Sequence, residues 1–268
     1  MISLKRVAAG FTIVKISYIC AVLLLTPPPA FAHDFWVTVP QSENKVFTAD
    51  IGYGHDFPRS EPIPEDRIHL FAPLRLVTPD DVITLDQVGE NYAYQKKLDL
   101  KKGSYMVLGL CRSSFWSKGP GGWAQKDRLQ RPDATIVREA ILCTKTVFNI
   151  EGATDSKLIT APAGQRLEIV PLVNPSNVKV GSKFPVTVLY DGEPVKTTSV
   201  TATFAGFSDR NYQAFQGETD LKGQIDILPL KPGCWIAKTK HVLKHPDQAR
   251  ADEFVLVATL TFNIPAEK

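Results

Sequence analysis

The histidines are the residues of this 268-residue chain whose type and position most clearly suggest chemistry, and the sequence holds only five of them. The first, His33, stands in the run AFAHDFWVT, where Ala30 and Ala32 have the spacing of a signal-peptidase site. If export removes the preceding residues, His33 becomes the amino-terminal residue. Its α-amino group and imidazole then titrate close to neutral pH and can chelate one divalent metal ion. Asp34 follows as an oxygen ligand or as a hydrogen-bond partner of an imidazole.

Two further histidines are candidate ligands of the same ion. His55 lies in GYGHDFP, a glycine-rich turn that includes Asp56, and His241 ends the strand pattern CWIAKTKH. A site made of His33, His55 and His241, with Asp34 or Asp56 in support, would offer nitrogen ligands suited to nickel, cobalt, copper or zinc. We expect such a site at an interdomain cleft, where small-ligand sites are common.

The remaining histidines are weaker candidates. His69 is expected to face solvent from a strand, and His245 to lie in a solvated loop before Pro246. His33 also has a plain alternative, in which it is an accidental residue of a frayed terminus.

The first 32 residues have the order of a secretory signal peptide. Lys5 and Arg6 precede the apolar run FTIVKISYICAVLLL, and the small residues of the cleavage site follow it. A transmembrane anchor is disfavoured because the run contains Lys15 and ends at three prolines, whereas a span needs about 20 apolar residues. We therefore predict a signal peptide at 1–32, a periplasmic protein (secreted if the host is not Gram-negative), and no stable membrane span after processing.

The composition of the remaining chain argues against several function classes. The leader holds three of the 31 basic residues and no acid, so residues 33–268 carry 28 basic and 28 acidic residues. This balance gives no electrostatic reason to expect nucleic acid or an anionic membrane as a partner. The sequence has no G-x-S-x-G, P-loop or complete G-x-G-x-x-G motif, and its paired carboxylates lie in turn-like stretches. No enzyme activity is predicted.

Short β-rich runs between turn signals predict an all-β protein with two β-sandwich-type domains. The first domain is expected at 33–155, and the second, an immunoglobulin-like sandwich, at 165–268. Two segments fit this pattern less well: 111–133 is expected to be a long loop, and 132–147 a short helix or loop that leads into a strand. The predicted strands are 35–39, 67–77, 103–110, 183–190, 199–207, 223–230, 234–242 and 253–264.

Three cysteines remain after processing: Cys111, Cys143 and Cys234. An odd number in an oxidising compartment allows at most one internal disulfide, and the sequence does not choose among the three pairings. Their spacing matches no zinc motif.

The ordered motifs AHDFWVTVP, GYGHDFP and GSYMVLGL, with a closing half from LEIVPLVNPSN to ATLTFNI, resemble a family of periplasmic nickel-uptake-associated (NikK-like) proteins. The resemblance covers almost the whole chain after residue 32. It implies a β-rich exported protein with a metal-linked role. It also implies His33 as an amino-terminal ligand and His55 and His241 as the matching histidines. Asp56 is the nearest equivalent of an acidic residue or second histidine that the family often has in this region.

These features predict a periplasmic protein that captures nickel or cobalt and assists its uptake by an inner-membrane or outer-membrane transporter. Copper and zinc are the alternative ions. Two other interpretations stay open. One is a metal-free envelope or adhesion scaffold, because immunoglobulin-like domains are common in such proteins. The other is a copper oxidase in which His33 and a second histidine form a histidine brace.

Overall fold

The computed structural model describes residues 33–40, 45–89, 92–208 and 212–266. The expected signal peptide, residues 1–32, lies outside the described residues. Ala32–Lys268 form one compact unit. In the described part of the chain, no helix is both long and apolar enough to cross a bilayer.

The prediction of an all-β sandwich-type fold is confirmed, since strands dominate and the helical residues form two 3₁₀ helices, Glu65–Leu70 and Pro175–Asn177. The strands, in chain order, are β1 Asp34–Thr38, β2 Val46–Gly54, β3 Arg75–Val77, β4 Val82–Thr84, β5 Asp86–Val88, β6 Ala93–Lys97, β7 Gly103–Gly119, β8 Gly122–Ala124, β9 Ile136–Ile150, β10 Leu167–Pro171, β11 Phe184–Tyr190, β12 Glu193–Pro194, β13 Ser199–Phe204, β14 Phe215–Glu218, β15 Gln224–Ile227, β16 Gly233–Lys244 and β17 Glu253–Ile264.

The described strands form three sheets. The largest has nine strands in the order β14-β13-β16-β17-β9-β7-β3-β4, with β8 paired to β7. A smaller sheet, β1-β2-β6-β5, packs on one face of it, and a sheet of β10, β11, β12 and β15 packs on the other. The large sheet is therefore the middle layer, and β17 joins its two halves by pairing in parallel with β9.

Burial on both faces explains the sequence of β17. Successive strand residues point to opposite faces, and here one face meets β1 while the other meets β10 and β11. The strand therefore reads as a nearly continuous apolar run, as expected for a doubly covered strand. Ten of its twelve residues are buried.

The hydrophobic residues divide into two main cores, one on each face of the large sheet. One core is built mainly from residues after Leu167, with Met106 and Val147 added from β7 and β9. The other is built mainly from residues before Cys111. The shared nine-stranded sheet runs across the boundary predicted at 155–165, and Ile159, inside that range, belongs to the first of these cores.

Two of three local predictions were wrong. Residues 111–133 are not one long loop, because β7 continues past a bulge between Cys111 and Ser114 and turns into β8. For 132–147 the loop form of the prediction holds, because a short turn at 132–135 leads into β9, which pairs along nearly its whole length with β7. The predicted strand 67–77 begins instead as a 3₁₀ helix, and within this range the strand is limited to Arg75–Val77.

Strand β1 is held in place by hydrogen bonds from the middle layer to its backbone carbonyls and by the packing of Trp36. The hydroxyl of Thr259 donates to the carbonyl of Phe35 at 2.6 Å, and the hydroxyl of Thr146 donates to the carbonyl of Val37. The indole of Trp36 lies directly over Gly52, where an added Cβ would come within 1.9 Å of the ring. This packing holds the start of β1 at one edge of the molecule.

Candidate metal centre

The register of the first hairpin brings His33 and His55 together. Strands β1 and β2 are antiparallel, and Asp34 pairs with Gly54 as the last pair of the ladder. His33 precedes that pair and His55 follows it, so both side chains lie at the same open end. Their ring centroids are 4.3 Å apart. Two histidines that the sequence separates by 22 positions are therefore neighbours because of strand pairing.

Glu61 completes the cluster. After His55 the chain turns back, with the amide of Arg59 donating to the carbonyl of Asp56 and the amide of Glu61 donating to the carbonyl of Tyr53. The Glu61 carboxylate then lies between the two histidines: one oxygen is 2.7 Å from Nδ1 of His55, and the other is 3.1 Å from Nε2 of His33. The amide of His55 also donates to this carboxylate at 2.9 Å.

These three residues have a geometry that could hold a metal ion. One donor atom from each of His33, His55 and Glu61 lies within 4.8 Å of the others. The side chain of His33 is 23% exposed, while those of His55 and Glu61 are 44% and 43% exposed, so an ion can enter from solvent. Two imidazole nitrogens and one carboxylate oxygen are ligands suited to nickel, cobalt, copper and zinc.

Electrostatics keep this donor set ready for a cation near neutral pH. Burial lowers the pKa of His33, and the neighbouring His55 lowers it further, while Glu61 opposes both effects. Hydrogen bonds from the ring and backbone of His55 lower the pKa of Glu61. At pH 7 the carboxylate is therefore charged, and the His33 ring has a lone pair to donate.

Tyr53 is the aromatic residue that packs against the metal-binding cluster. Its ring stacks on the His33 ring with centroids 4.3 Å apart and planes 7° from parallel. Tyr53 packs edge-on against Phe71, and its hydroxyl accepts a hydrogen bond from Nη1 of Arg67 at 3.2 Å. The stack restricts the rotation of the His33 ring before any ligand arrives.

The two aspartates predicted as supporting groups have other partners. Asp34 lies next to His33 in sequence, but its carboxylate points to the opposite side of β1 and accepts from Nζ of Lys238 at 2.9 and 2.7 Å. Asp56 pairs with the guanidinium of Arg59. Neither belongs to the cluster of donor atoms.

The structure does not bring His241 to the cluster. On β16, Lys238 faces β1 and reaches Asp34, whereas His241, three residues later, faces the sheet of β10 and β11. Its ring lies 5.3 Å from that of Tyr190, and burial lowers its pKa. His33 and His241 therefore lie on opposite sides of the middle layer, and the prediction that both bind one ion does not fit this arrangement.

The other histidines and the cysteines lie away from the site or point elsewhere. His69 is exposed on its 3₁₀ helix. His245 was expected in a solvated loop, but it is 5% exposed and its Nε2 is 2.7 Å from the carboxylate of Glu139. The three cysteines among the described residues are free thiols, and Cys111 and Cys143, although on paired strands, point to opposite faces of the sheet.

Sequence reasoning missed Glu61, and a signal for it was present. Pro58 and Ser60 are turn-forming residues that follow His55, so a return of the chain toward β2 was readable from GHDFPRSE. A carboxylate at the end of that return is the natural third ligand. Asp56 is adjacent to His55 in sequence, but its carboxylate pairs with Arg59 instead.

Residues 30–243 match the family model described as a domain of unknown function, DUF4198. The chain belongs to the DUF4198 family. The DUF4198 match includes the three clustered residues as well as His241, and it ends within β16.

Comparison with other proteins adds no assignment to the DUF4198 family. No curated protein matches the chain. Among solved structures, the native conformation of E. coli alpha-2-macroglobulin is similar over 87% of this chain, at 11% identity and a TM-score of 0.20. The chain covers 14% of that much longer protein. A TM-score of this size supports no conclusion about fold or function.

Proposed function

We propose that this protein is an exported metal-binding protein that captures a divalent transition metal ion, nickel or cobalt, and assists its delivery to a membrane transporter. The observation that supports the proposal is the cluster of His33, His55 and Glu61, with donor atoms within 4.8 Å of one another at an open end of the first hairpin. The resemblance to nickel-uptake-associated proteins supports the choice of metal, and the leader-like residues 1–32 support the periplasmic location.

The ligand set is best described as two imidazoles and one carboxylate, with the α-amino group of His33 as a fourth donor once the leader is removed. An amino group and its own imidazole close a chelate ring through Nδ1, whereas Nε2 of His33 faces Glu61 in the free protein. Binding through both the amino group and Nδ1 therefore requires the His33 ring to rotate, while it stays stacked on Tyr53, so that Nδ1 faces the ion. Glu61, whose carboxylate accepts a hydrogen bond from each imidazole, would then bind the ion instead.

Calorimetric titration with Ni²⁺ and Co²⁺ tests the site on protein that begins at His33 and has been freed of metal by a chelator. We expect one ion per chain. His55→Ala and Glu61→Gln should each weaken binding at least tenfold, equivalent to about 1.4 kcal/mol. Asp56→Asn is the matched control, since Asp56 lies in the same loop but pairs with Arg59. A stoichiometry of zero for the unaltered protein, or equal losses in the control, would reject the site.

The amino-terminal ligand has its own test. One alanine added before His33 leaves both imidazoles and Glu61 in place but moves the α-amino group away from the chelate. We expect at least tenfold weaker Ni²⁺ binding, about 1.4 kcal/mol. Unchanged affinity would show that the amino group is not a ligand, and the three side chains alone would then carry the function.

A further inference from the structure

Arg67 lies beside the metal centre with only Tyr53 between them. Its Nη1 donates to the Tyr53 hydroxyl at 3.2 Å, and Tyr53 in turn stacks on His33. The flat face of the guanidinium rests on the ring of Trp116, with its central carbon 4.6 Å from the ring centroid. The positive charge is close enough to contribute to the lowered pKa of His33. The arginine is thus held in place by two aromatic residues.

Its charge has no carboxylate partner within the residues that the structure describes. By contrast, two other half-buried arginines do have one: Arg128 pairs with Asp252, and Arg138 pairs with Glu253. The Nε atom of Arg67 is buried and has no hydrogen-bond acceptor among the described residues. A guanidinium stacked on tryptophan offers its donors edgewise, in the fork that matches a carboxylate.

The metal centre itself leaves room for a further ligand. His33, His55 and Glu61 supply three side-chain donors, and divalent transition metals take about four or more. A doubly charged ion beside Glu61 and Arg67 leaves an excess of positive charge at the open side of the cluster. An anion that coordinates the ion and reaches Arg67 would reduce that excess.

We propose that the cargo is a metal–carboxylate complex, in which a small polycarboxylate binds the metal through some of its oxygens and gives one carboxylate to Arg67. This inference rests on the proposed metal-binding function. It assigns Arg67 to the chelator and His33, His55 and Glu61 to the ion. Trp116 and Tyr53 hold the guanidinium in place for this contact.

Equilibrium dialysis with radiolabelled citrate tests the inference on protein that begins at His33. We expect about one citrate retained per chain when Ni²⁺ is present and none when it is absent. Arg67→Gln should weaken citrate retention at least tenfold, a clearly larger loss than its effect on the affinity for Ni²⁺ in citrate-free buffer. Arg67→Lys keeps the charge but loses the fork, so it should recover only part of the retention. Arg75→Gln is the matched control, because Arg75 is exposed and lies outside the cluster.

The outcomes separate the two proposals. If the protein binds Ni²⁺ but citrate only competes for the ion, equally in the unaltered and Arg67→Gln proteins, the chelator inference is overturned and the metal function stands. If Arg75→Gln loses citrate as much as Arg67→Gln, the effect is general electrostatics and the assignment of Arg67 is wrong. If the unaltered protein binds no Ni²⁺ with or without citrate, the proposed function itself fails.

Discussion

At the scale of single residues, His33, His55 and Glu61 already interact before any ligand arrives. The Glu61 carboxylate accepts from both imidazoles, and the Tyr53 ring restricts one of them. Such contacts lower the cost of gathering the ligands, because the side chains lose little further freedom on binding. A metal ion must, however, displace the protons that hold the cluster together. The affinity is therefore expected to depend on pH.

That dependence has a definite sign for His33. Burial lowers its pKa below the ordinary value of 6.5, and Glu61 acts in the opposite direction. We expect the imidazole to titrate below 6.5 in the metal-free protein, and Glu61→Gln to lower its pKa further by removing the opposing charge. Nuclear magnetic resonance titration of the His33 ring protons measures both values. A pKa that rises in Glu61→Gln would contradict the assigned contact.

The same shift predicts how metal binding and stability vary with acid. The folded protein holds the His33 proton less tightly than the unfolded chain does, so this residue favours unfolding as the pH falls through 6.5. Ni²⁺ affinity should still rise between neutral pH and about pH 8, as the α-amino group of His33 loses its proton, and should fall in acid as the imidazoles gain protons. Calorimetry in buffers of different ionisation enthalpy would count the protons released. Binding that strengthens in acid would be incompatible with imidazole ligands.

The residue types of the site were predictable, but their grouping was not. The cleavage-site context of His33 and the glycine-rich context of His55 mark them as unusual histidines. His241 is a candidate by residue type alone, because a sequence does not reveal which face of a strand a residue occupies when both faces are buried. Its ring faces Tyr190, and Lys238 takes the face toward β1. A histidine one position earlier or later on β16 would face β1 instead, because successive strand residues point to opposite faces.

At the scale of elements, the site depends on how β1 is held. The strand pairs with β2 along one edge, and the hydroxyls of Thr259 and Thr146 bind its carbonyls from the middle layer. Trp36 is buried between β1 and β16, and its indole lies over Gly52. This contact sets the position of β1 relative to β2. Displacing this strand would move His33 away from His55.

Gly52→Ala tests that role. The added methyl group would meet the Trp36 indole at 1.9 Å, so the ring must move. We expect a loss of about 1–3 kcal/mol in unfolding free energy, as for overpacked cores, together with weaker Ni²⁺ binding. Urea denaturation measures the first effect and calorimetry the second.

A double-mutant cycle isolates the contact. Trp36→Leu removes the obstructing ring, so Gly52→Ala should cost clearly less in the Trp36→Leu background than in the unaltered protein. Additive losses would show that the tryptophan is not the cause.

Most strands were predictable from alternation and turn residues, whereas the exceptions have specific physical causes. Ile136–Ile150 mixes helix-compatible and strand-compatible residues, and its length of pairing with β7 decided the outcome. Glu65–Leu70 has apolar alternation but follows two prolines, and the chain curls into a 3₁₀ turn there. Tertiary pairing overrode local preference in the first case, and local proline geometry decided the second.

At the scale of the whole molecule, a buried ion pair joins the middle layer to one outer sheet. Nζ of Lys145 on β9 lies 2.6 Å from the carboxylate of Glu168 on β10, and both side chains are at most 2% exposed. Glu168 also accepts from the amides of Ala163 and Gly164. Burial lowers the pKa of Lys145, and the contact with Glu168 opposes that effect.

Removing one partner should be more damaging than replacing both. Lys145→Met leaves a buried carboxylate unpaired, which costs about 3–5 kcal/mol in comparable cases. Lys145→Met combined with Glu168→Gln carries no charge and keeps one acceptor oxygen, enough for one of the two amides, so we expect it to recover part of that loss. Urea denaturation of the three proteins decides the matter. A double variant less stable than Lys145→Met would show that the unpaired carboxylate is not the source of the loss.

The shared sheet also makes a prediction about whether the second half of the chain can fold alone. A fragment of residues 165–268 keeps β10–β17 but loses β9, which pairs with β17 over nine residues. It also loses Met106 and Val147 from its core and leaves the face of β17 that meets β1 uncovered. An exposed apolar edge strand of twelve residues favours aggregation over a unique fold. We therefore expect no cooperative unfolding transition by circular dichroism for this fragment, in contrast to residues 33–268. A sharp transition and dispersed resonance spectra for the fragment would establish it as an independent immunoglobulin-like domain, and the middle layer would then be an interface between two domains.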